Sequence, residues 1–129
     1  VNETINELRS NTYTGSAIHW LNGISDEYLD HLYRSCDCLI AASEAEGFGL
    51  PLIEAAIQNL PIVARDLPVF REVAQDAAFY FQNDTPHELA EALNNWMKLY
   101  SGNNHPKPNI MQWLNWEESS RQLMQRLEL

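Results

Sequence analysis

Hydrophobic positions along this chain change period several times, and each change predicts an element. Val1, Ile5 and Leu8 recur at helical spacing, so residues 1–9 read as the end of a helix. The polar stretch Ser10 to Ser16 reads as a loop. Ala17 to Leu21 reads as a short strand, closed by the turn pair Asn22-Gly23. Ser25 suits an N-cap, and Asp26 and Glu27 follow it where the helix dipole favours negative charge. That helix is predicted to run to about Ser35, with Leu29, Leu32 and Tyr33 as its buried stripe. Cys38 to Ala42 is a nearly continuous apolar run, the pattern of a parallel strand covered on both faces. A helix over 51–58 follows, ended by Asn59, which tolerates the left-handed conformation a C-terminal cap requires.

The third strand is Pro61 to Ala64, and Arg65 to Pro68 is a loop in which Asp66 reads as a turn former rather than a ligand contact. Val69 to Ala74 reads as a short helix and Ala78 to Phe81 as the last strand. Asn83-Asp84-Thr85-Pro86 marks another helix start, with Thr85 as N-cap and Pro86 at the first position. Leu89, Leu93, Trp96 and Tyr100 line one face of it and read as core, not as a platform for a base. After a loop from Ser101 to Asn109, Trp113 is expected to pack in a turn. The last helix is expected from about Glu117, with Ser120, Leu123 and Leu127 on one face and Met124 beside it.

Strands alternating with helices predict an α/β fold with a parallel sheet, and 129 residues suit a single domain over 1–129. Ligands on such sheets bind beyond the carboxyl ends of the strands. The formal net charge of −10 argues against a nucleic-acid partner and against an anionic membrane surface. It also means that a phosphate ligand needs backbone N–H groups or outside cations. No apolar run has the length of a membrane span, and the first residues lack the pattern of a signal peptide, so a cytoplasmic location is expected. The absent initiator Met reads as a fragment or a processed piece. Cys36 and Cys38 are too few for a disulfide framework and lack a second pair at zinc spacing; both are expected as small core residues. His19 is expected as a satisfied core or edge histidine.

The candidate chemistry lies in Glu46-Gly47-Phe48-Gly49-Leu50-Pro51-Leu52-Ile53-Glu54. A strand feeds this stretch and a helix leaves it, with two glycines between that let the backbone approach a ligand. Pro51 sits where the first helical turn accepts it. A glycine turn opening a helix favours phosphate through its N–H groups and dipole. The flanking carboxylates Glu46 and Glu54 repel phosphate but accept hydrogen bonds from sugar hydroxyls. Donors for phosphate beside acceptors for hydroxyls are what a sugar nucleotide requires.

The run from Glu46 to Ala55 resembles the Glu-x7-Glu signature of retaining glycosyltransferases of the GT-B fold, the large group 1 family. Trp20-Leu-Asn-Gly23, Leu29-Asp-His-Leu-Tyr33, Asp37-Cys-Leu-Ile, Pro61-Ile-Val-Ala64, Asp66-Leu-Pro-Val-Phe-Arg-Glu72 and Trp116-Glu117 resemble family segments in the same order, over roughly residues 17–128. The resemblance implies an incomplete Rossmann-like, three-layer domain, the carboxyl-terminal, donor-binding part of a GT-B fold. It implies that Glu46 is the catalytic residue, acting as a positioning and electrostatic group on the transferred sugar. Glu46, Gly47, Phe48, Gly49 and Leu50 would bind the donor sugar and diphosphate, and Glu54 the ribose. No metal and no further cofactor is implied. The donor would be a GDP- or UDP-linked sugar, and the Asp66–Glu72 phrase resembles mannosyl- and rhamnosyl-type polymer enzymes, which favours GDP-mannose.

Departures from the family limit this expectation. Its Arg and Lys that neutralise the leaving diphosphate have no counterpart here, and the amino-terminal acceptor domain is missing, so the isolated chain is expected to be inactive. Ala42-Ser43 stands where many relatives have Pro-Ser, and Asn59 where Gly is usual. Strands at 17–21 and 38–42 would flank a gap of two absent strands. Either the two pair directly, or a second copy fills the open edge and the chain self-associates. A non-catalytic assembly or regulatory module is the alternative reading, and a sugar-nucleotide epimerase ranks below both. For the full-length protein, a peripheral position at the inner membrane is the alternative to a purely cytoplasmic one.

Overall fold

A computed structural model describes residues 2–82 and 85–127. Expectations resting on Val1, Asn83 and Asp84 lie outside the described residues. The chain divides into two compact units, Val1–Leu32 and Tyr33–Leu129.

In the first unit, α1 (Asn2–Ser10) is followed by a tight turn and by the start of α2 (Asp26–Ser35). The strand expected at 17–21 does not form. The Tyr13 carbonyl accepts the N–H groups of Ser16, Ala17 and Ile18, and Gly15 donates to the Ile18 carbonyl at 2.7 Å. These backbone groups are therefore spent within the turn, and only an isolated bridge joins Thr14 to Ile18. His19 is exposed and lies outside any strand, contrary to its expected place. Ser25 caps α2 as expected, its hydroxyl accepting the Tyr28 N–H at 3.3 Å. The expected stripe of Leu29, Leu32 and Tyr33 is half-buried rather than buried.

The second unit carries a parallel sheet of β1 (Leu39–Ala41), β2 (Ile62–Arg65) and β3 (Ala78–Phe81), in that spatial order. Leu39 pairs with Ile62 and Ile62 with Ala78. Because no strand forms at 17–21, neither expected outcome for the gap, direct pairing of 17–21 with 38–42 or filling by a second copy, is met in the chain, and among the described residues β1 pairs on one side only, with β2. Alternation along β2 serves two cores. Ile62 and Ala64 face α3 (Leu50–Ile57) and α4 (Pro68–Ala74), together with Leu52, Ala55, Phe70 and Ala78. Val63 faces α5 (Pro86–Ser101) with Phe81 and Trp96. Helix, sheet and helix make the three-layer, Rossmann-like arrangement. Many core positions are alanine, which lets α3 and α4 approach the sheet closely.

Local signals end and begin these helices. Asn59 adopts φ 55° and closes α3 in a Schellman turn: Leu60 N–H donates to the Ala55 carbonyl at 2.9 Å and Asn59 N–H to that of Ala56 at 3.0 Å. Thr85 and Glu88 form a reciprocal capping box at α5. Asn115 and Glu118 form another at α6 (Trp116–Arg126). The expected face of α6 is exposed at Leu123, Met124 and Leu127, and Met111, not Trp113, is the buried side chain of the preceding turn. Cys36 is exposed in the bend after α2 and Cys38 half-buried, so only the latter approaches its expected place. Among the described residues, no helix is long and apolar enough to cross a membrane.

Candidate functional site

The loop between β1 and α3 leaves the carboxyl end of the sheet, and the sequence-expected residues Glu46, Gly47, Phe48, Gly49 and Leu50 all lie on it or at the helix start. Gly49 is the N-cap of α3, at φ 85° and ψ 33°. It is buried, against the ring of Phe70, whereas Phe48 and Leu50 on either side are each 57% exposed. The chain turns sharply at Gly49 and directs its neighbours outward. Pro51 contributes no N–H, and the N–H of Leu52 donates to the Gly49 carbonyl at 3.0 Å. The first turn of α3 therefore offers an anion fewer backbone donors than a turn of ordinary composition.

Glu46 folds back on its own loop: its Oε1 accepts the Gly47 N–H at 3.0 Å. A ligand oxygen bound at that amide must displace the carboxylate, which links the Glu46 rotamer to occupancy of the loop. Glu54 stands one turn into α3 on its exposed face. Its Oε2 accepts the hydroxyl of Tyr33 at 2.8 Å. Sequence reasoning placed Tyr33 in a buried stripe and missed this bond, because no local pattern connects positions 21 residues apart.

Two further groups shape the rim. Arg65 ends the central strand; its Nε donates to the Ala42 carbonyl at 3.3 Å, and its guanidinium lies 5.5 Å from the Phe81 ring centroid. The side chain thereby spans the carboxyl ends of all three strands. Asp66 next to it receives a forked pair from Arg71, at 2.6 Å from Nε and 2.9 Å from Nη2, and a third bond from Gln82 at 2.7 Å. Its N–H donates to the Phe81 carbonyl at 2.8 Å. This is the structural turn expected of Asp66. Arg71 also stacks on Tyr80, 3.8 Å from the ring centroid, and Tyr80 donates to the Gln75 carbonyl at 2.8 Å. Burial pushes the Tyr80 phenol up to about 12.

The bonds from Arg71 and Gln82 hold the Asp66 carboxyl at about 2, below its ordinary 3.8. A carboxylate depressed in the folded state contributes stability that is complete above its unfolded value and is lost as pH falls through the folded one. An Asp66→Asn chain is therefore expected to melt lower than wild type near neutral pH, with the gap closing between about pH 4 and pH 2. Thermal melts across that range test this. A gap independent of pH would contradict the assigned clasp.

Known proteins resemble the chain along its whole length. The family model for "Glycosyl transferases group 1" matches residues 2–113. "Serotype-specific mannosyltransferase WbdA" of Escherichia coli is 43% identical over all 129 residues, which span 16% of that protein. "O-antigen chain mannosyltransferase RfbU" of Salmonella typhimurium is 36% identical over 82 residues, 64% of this chain and 23% of the relative. The GtfA subunit of "UDP-N-acetylglucosamine--peptide N-acetylglucosaminyltransferase" of Streptococcus parasanguinis is 38% identical over 64 residues, 50% of this chain and 12% of that protein. With the Glu46–Glu54 loop at the carboxyl end of a parallel sheet and the family model covering most of its length, the chain belongs to the group 1 glycosyl transferases.

Proposed function

We propose that this chain is the donor-binding portion of a retaining hexosyltransferase that takes mannose from GDP-mannose for polysaccharide synthesis. The observation that carries the reading is the strand–loop–helix unit in which a left-handed Gly49 opens α3 between two exposed carboxylates, Glu46 and Glu54. Mannose is favoured because relatives matching the chain are named mannosyltransferases. In this reading Glu46 accepts hydroxyls of the sugar, the backbone of Gly47 to Leu50 borders the sugar and diphosphate, and Glu54 accepts the ribose hydroxyls. The bond from the anomeric carbon to the phosphate oxygen breaks with its electron pair leaving on the diphosphate. The acceptor hydroxyl attacks from the same face and passes its proton to the departing phosphate oxygen. Glu46 contributes by orientation and field.

The chain's charge of −10 opposes a diphosphate, so the neutralising cations belong to other parts of the longer enzyme. Weak binding and no turnover are expected of the chain alone. The outer edge of β1 is proposed to pair with a further strand, supplied by the longer enzyme or by a second copy. A strictly monomeric sedimentation mass would remove the second copy.

Calorimetric titration of GDP, UDP and ADP into the chain tests the reading. GDP is expected to bind in the millimolar range or tighter and ahead of the other two. Preference for UDP would transfer the proposal to a UDP-linked donor. Silence for all three would leave two readings, a site completed only by further strands of the longer enzyme or the non-catalytic module, which the longer enzyme in the same titration separates.

A further inference from the structure

We infer that Tyr33 is a positioning residue for nucleotide recognition: it holds Glu54 in the orientation that receives the ribose diol. The inference rests on the donor-binding reading above.

Glu54 is exposed and stands on the outer face of α3. Left to itself, such a side chain samples several rotamers, and a ligand that orders it must offset that entropy. The phenol of Tyr33 removes much of this freedom in advance, bonding Oε2 at 2.8 Å. Tyr33 can do so because its ring packs against the core beneath α3 and the sheet. An aromatic side chain with two torsions, gripped along its ring, is a stiff carrier for a hydroxyl. Burial, and the neighbouring Glu54 carboxylate, push the phenol above its ordinary range, so it stays a donor throughout the working pH range.

The bond has a chemical consequence. A phenol carries one proton, and this one is committed to Oε2. Oε1 and the second lone pair of Oε2 then accept from outside. Glu54 so held is matched to a ligand presenting two adjacent hydroxyl donors, which is the 2′,3′-diol of a ribonucleotide. A ligand presenting only acceptors at that position finds nothing to bond.

The test compares GDP with 2′,3′-dideoxy-GDP on wild type, Tyr33→Phe and Glu54→Ala by calorimetry, with thermal melts of each. Wild type is expected to prefer the ribonucleotide by about 10-fold, the worth of hydrogen bonds to a charged group. Glu54→Ala should abolish the preference. Tyr33→Phe keeps the ring and its packing, and should cut the preference to about 2- to 3-fold while leaving the dideoxy affinity unchanged. A structural role alone would weaken both ligands equally, and that result overturns the inference. A Tyr33→Phe chain that discriminates as wild type does overturns it as well, with the donor site intact. A wild type without any preference sinks the ribose role of Glu54 itself, and the inference with it.

Discussion

Replacing Gly49 with valine is expected to destabilise the protein more than any other single change in the loop. Two costs coincide there. At φ 85° the backbone occupies the left-handed region, where an L-residue loses about 1–2 kcal/mol and a β-branched one more. A Cβ at this position would also stand 3.2 Å from Cδ1 of Phe70, tighter than ordinary contact. Phe70 is among the largest fully buried side chains, so its ring cannot swing aside without disturbing Leu52, Ala55 and the sheet. Overpacking of this kind costs about 1–3 kcal/mol. Gly49→Ala should therefore lose roughly 2–5 kcal/mol and Gly49→Val more.

Gly47 is the control. It has no positive φ, and nothing lies within 4 Å of a Cβ built on it, so Gly47→Ala should stay within about 0.5 kcal/mol of wild type. Urea melts of the three chains measure this directly. Equal losses at both glycines would show that Phe70 yields and that the turn is not pinned from below.

Glu54→Ala should do the reverse, leaving the fold intact and removing the ligand. Glu54 is exposed, and alanine is a better helix former, so the melting temperature should hold or rise slightly. Hydrogen bonds to a charged group are worth about 1.5–3 kcal/mol, so nucleotide affinity should fall roughly 10- to 100-fold. Calorimetry beside a thermal melt separates the two effects. Undiminished affinity would remove Glu54 from the site. A large fall in melting temperature would instead mean that the Tyr33–Glu54 bond supports the fold itself.

The two predictions divide the loop by role. Gly49 belongs to the packing that shapes the turn, and Glu54 to the surface proposed to meet the ligand. Gly47 belongs to neither in the free chain except through its amide, which Glu46 occupies. A donor that replaces Glu46 at that amide frees the carboxylate for the sugar hydroxyls. The arrangement thus ties two of the proposed roles of this loop to one exchange of partners.

Much of this was legible in the residues. The apolar run from Cys38 to Ala42 marked a strand, and β1 occupies its middle, but the expected cover on both faces is not met, since Ile40 is 45% exposed. Thr85 with Pro86 marked the start of α5, and Asn59 marked the left-handed end of α3. The Asn115–Glu118 capping box was also readable, since asparagine followed three residues later by glutamate is a helix start, yet the start was placed near Glu117. These signals are local: the partner groups lie within a few residues, so the sequence determines them whatever surrounds them.

Tertiary structure decided the rest. Ala17 to Leu21 has strand-like composition, but a strand needs a neighbour, and the Tyr13 carbonyl claims the N–H groups of Ala17 and Ile18 first. Gly47 and Gly49 are equivalent in a motif, and the left-handed backbone at Gly49 together with Phe70, 21 residues beyond it, makes that one costly to replace. The bond from Tyr33 to Glu54 and that from Arg65 to Ala42 join positions 21 and 23 apart. Sequence alone determined which residues could carry the chemistry, because carboxylate, glycine and proline have intrinsic properties. The fold decided which are held in place and by what, because orientation comes from contacts between distant segments, and no local pattern encodes them.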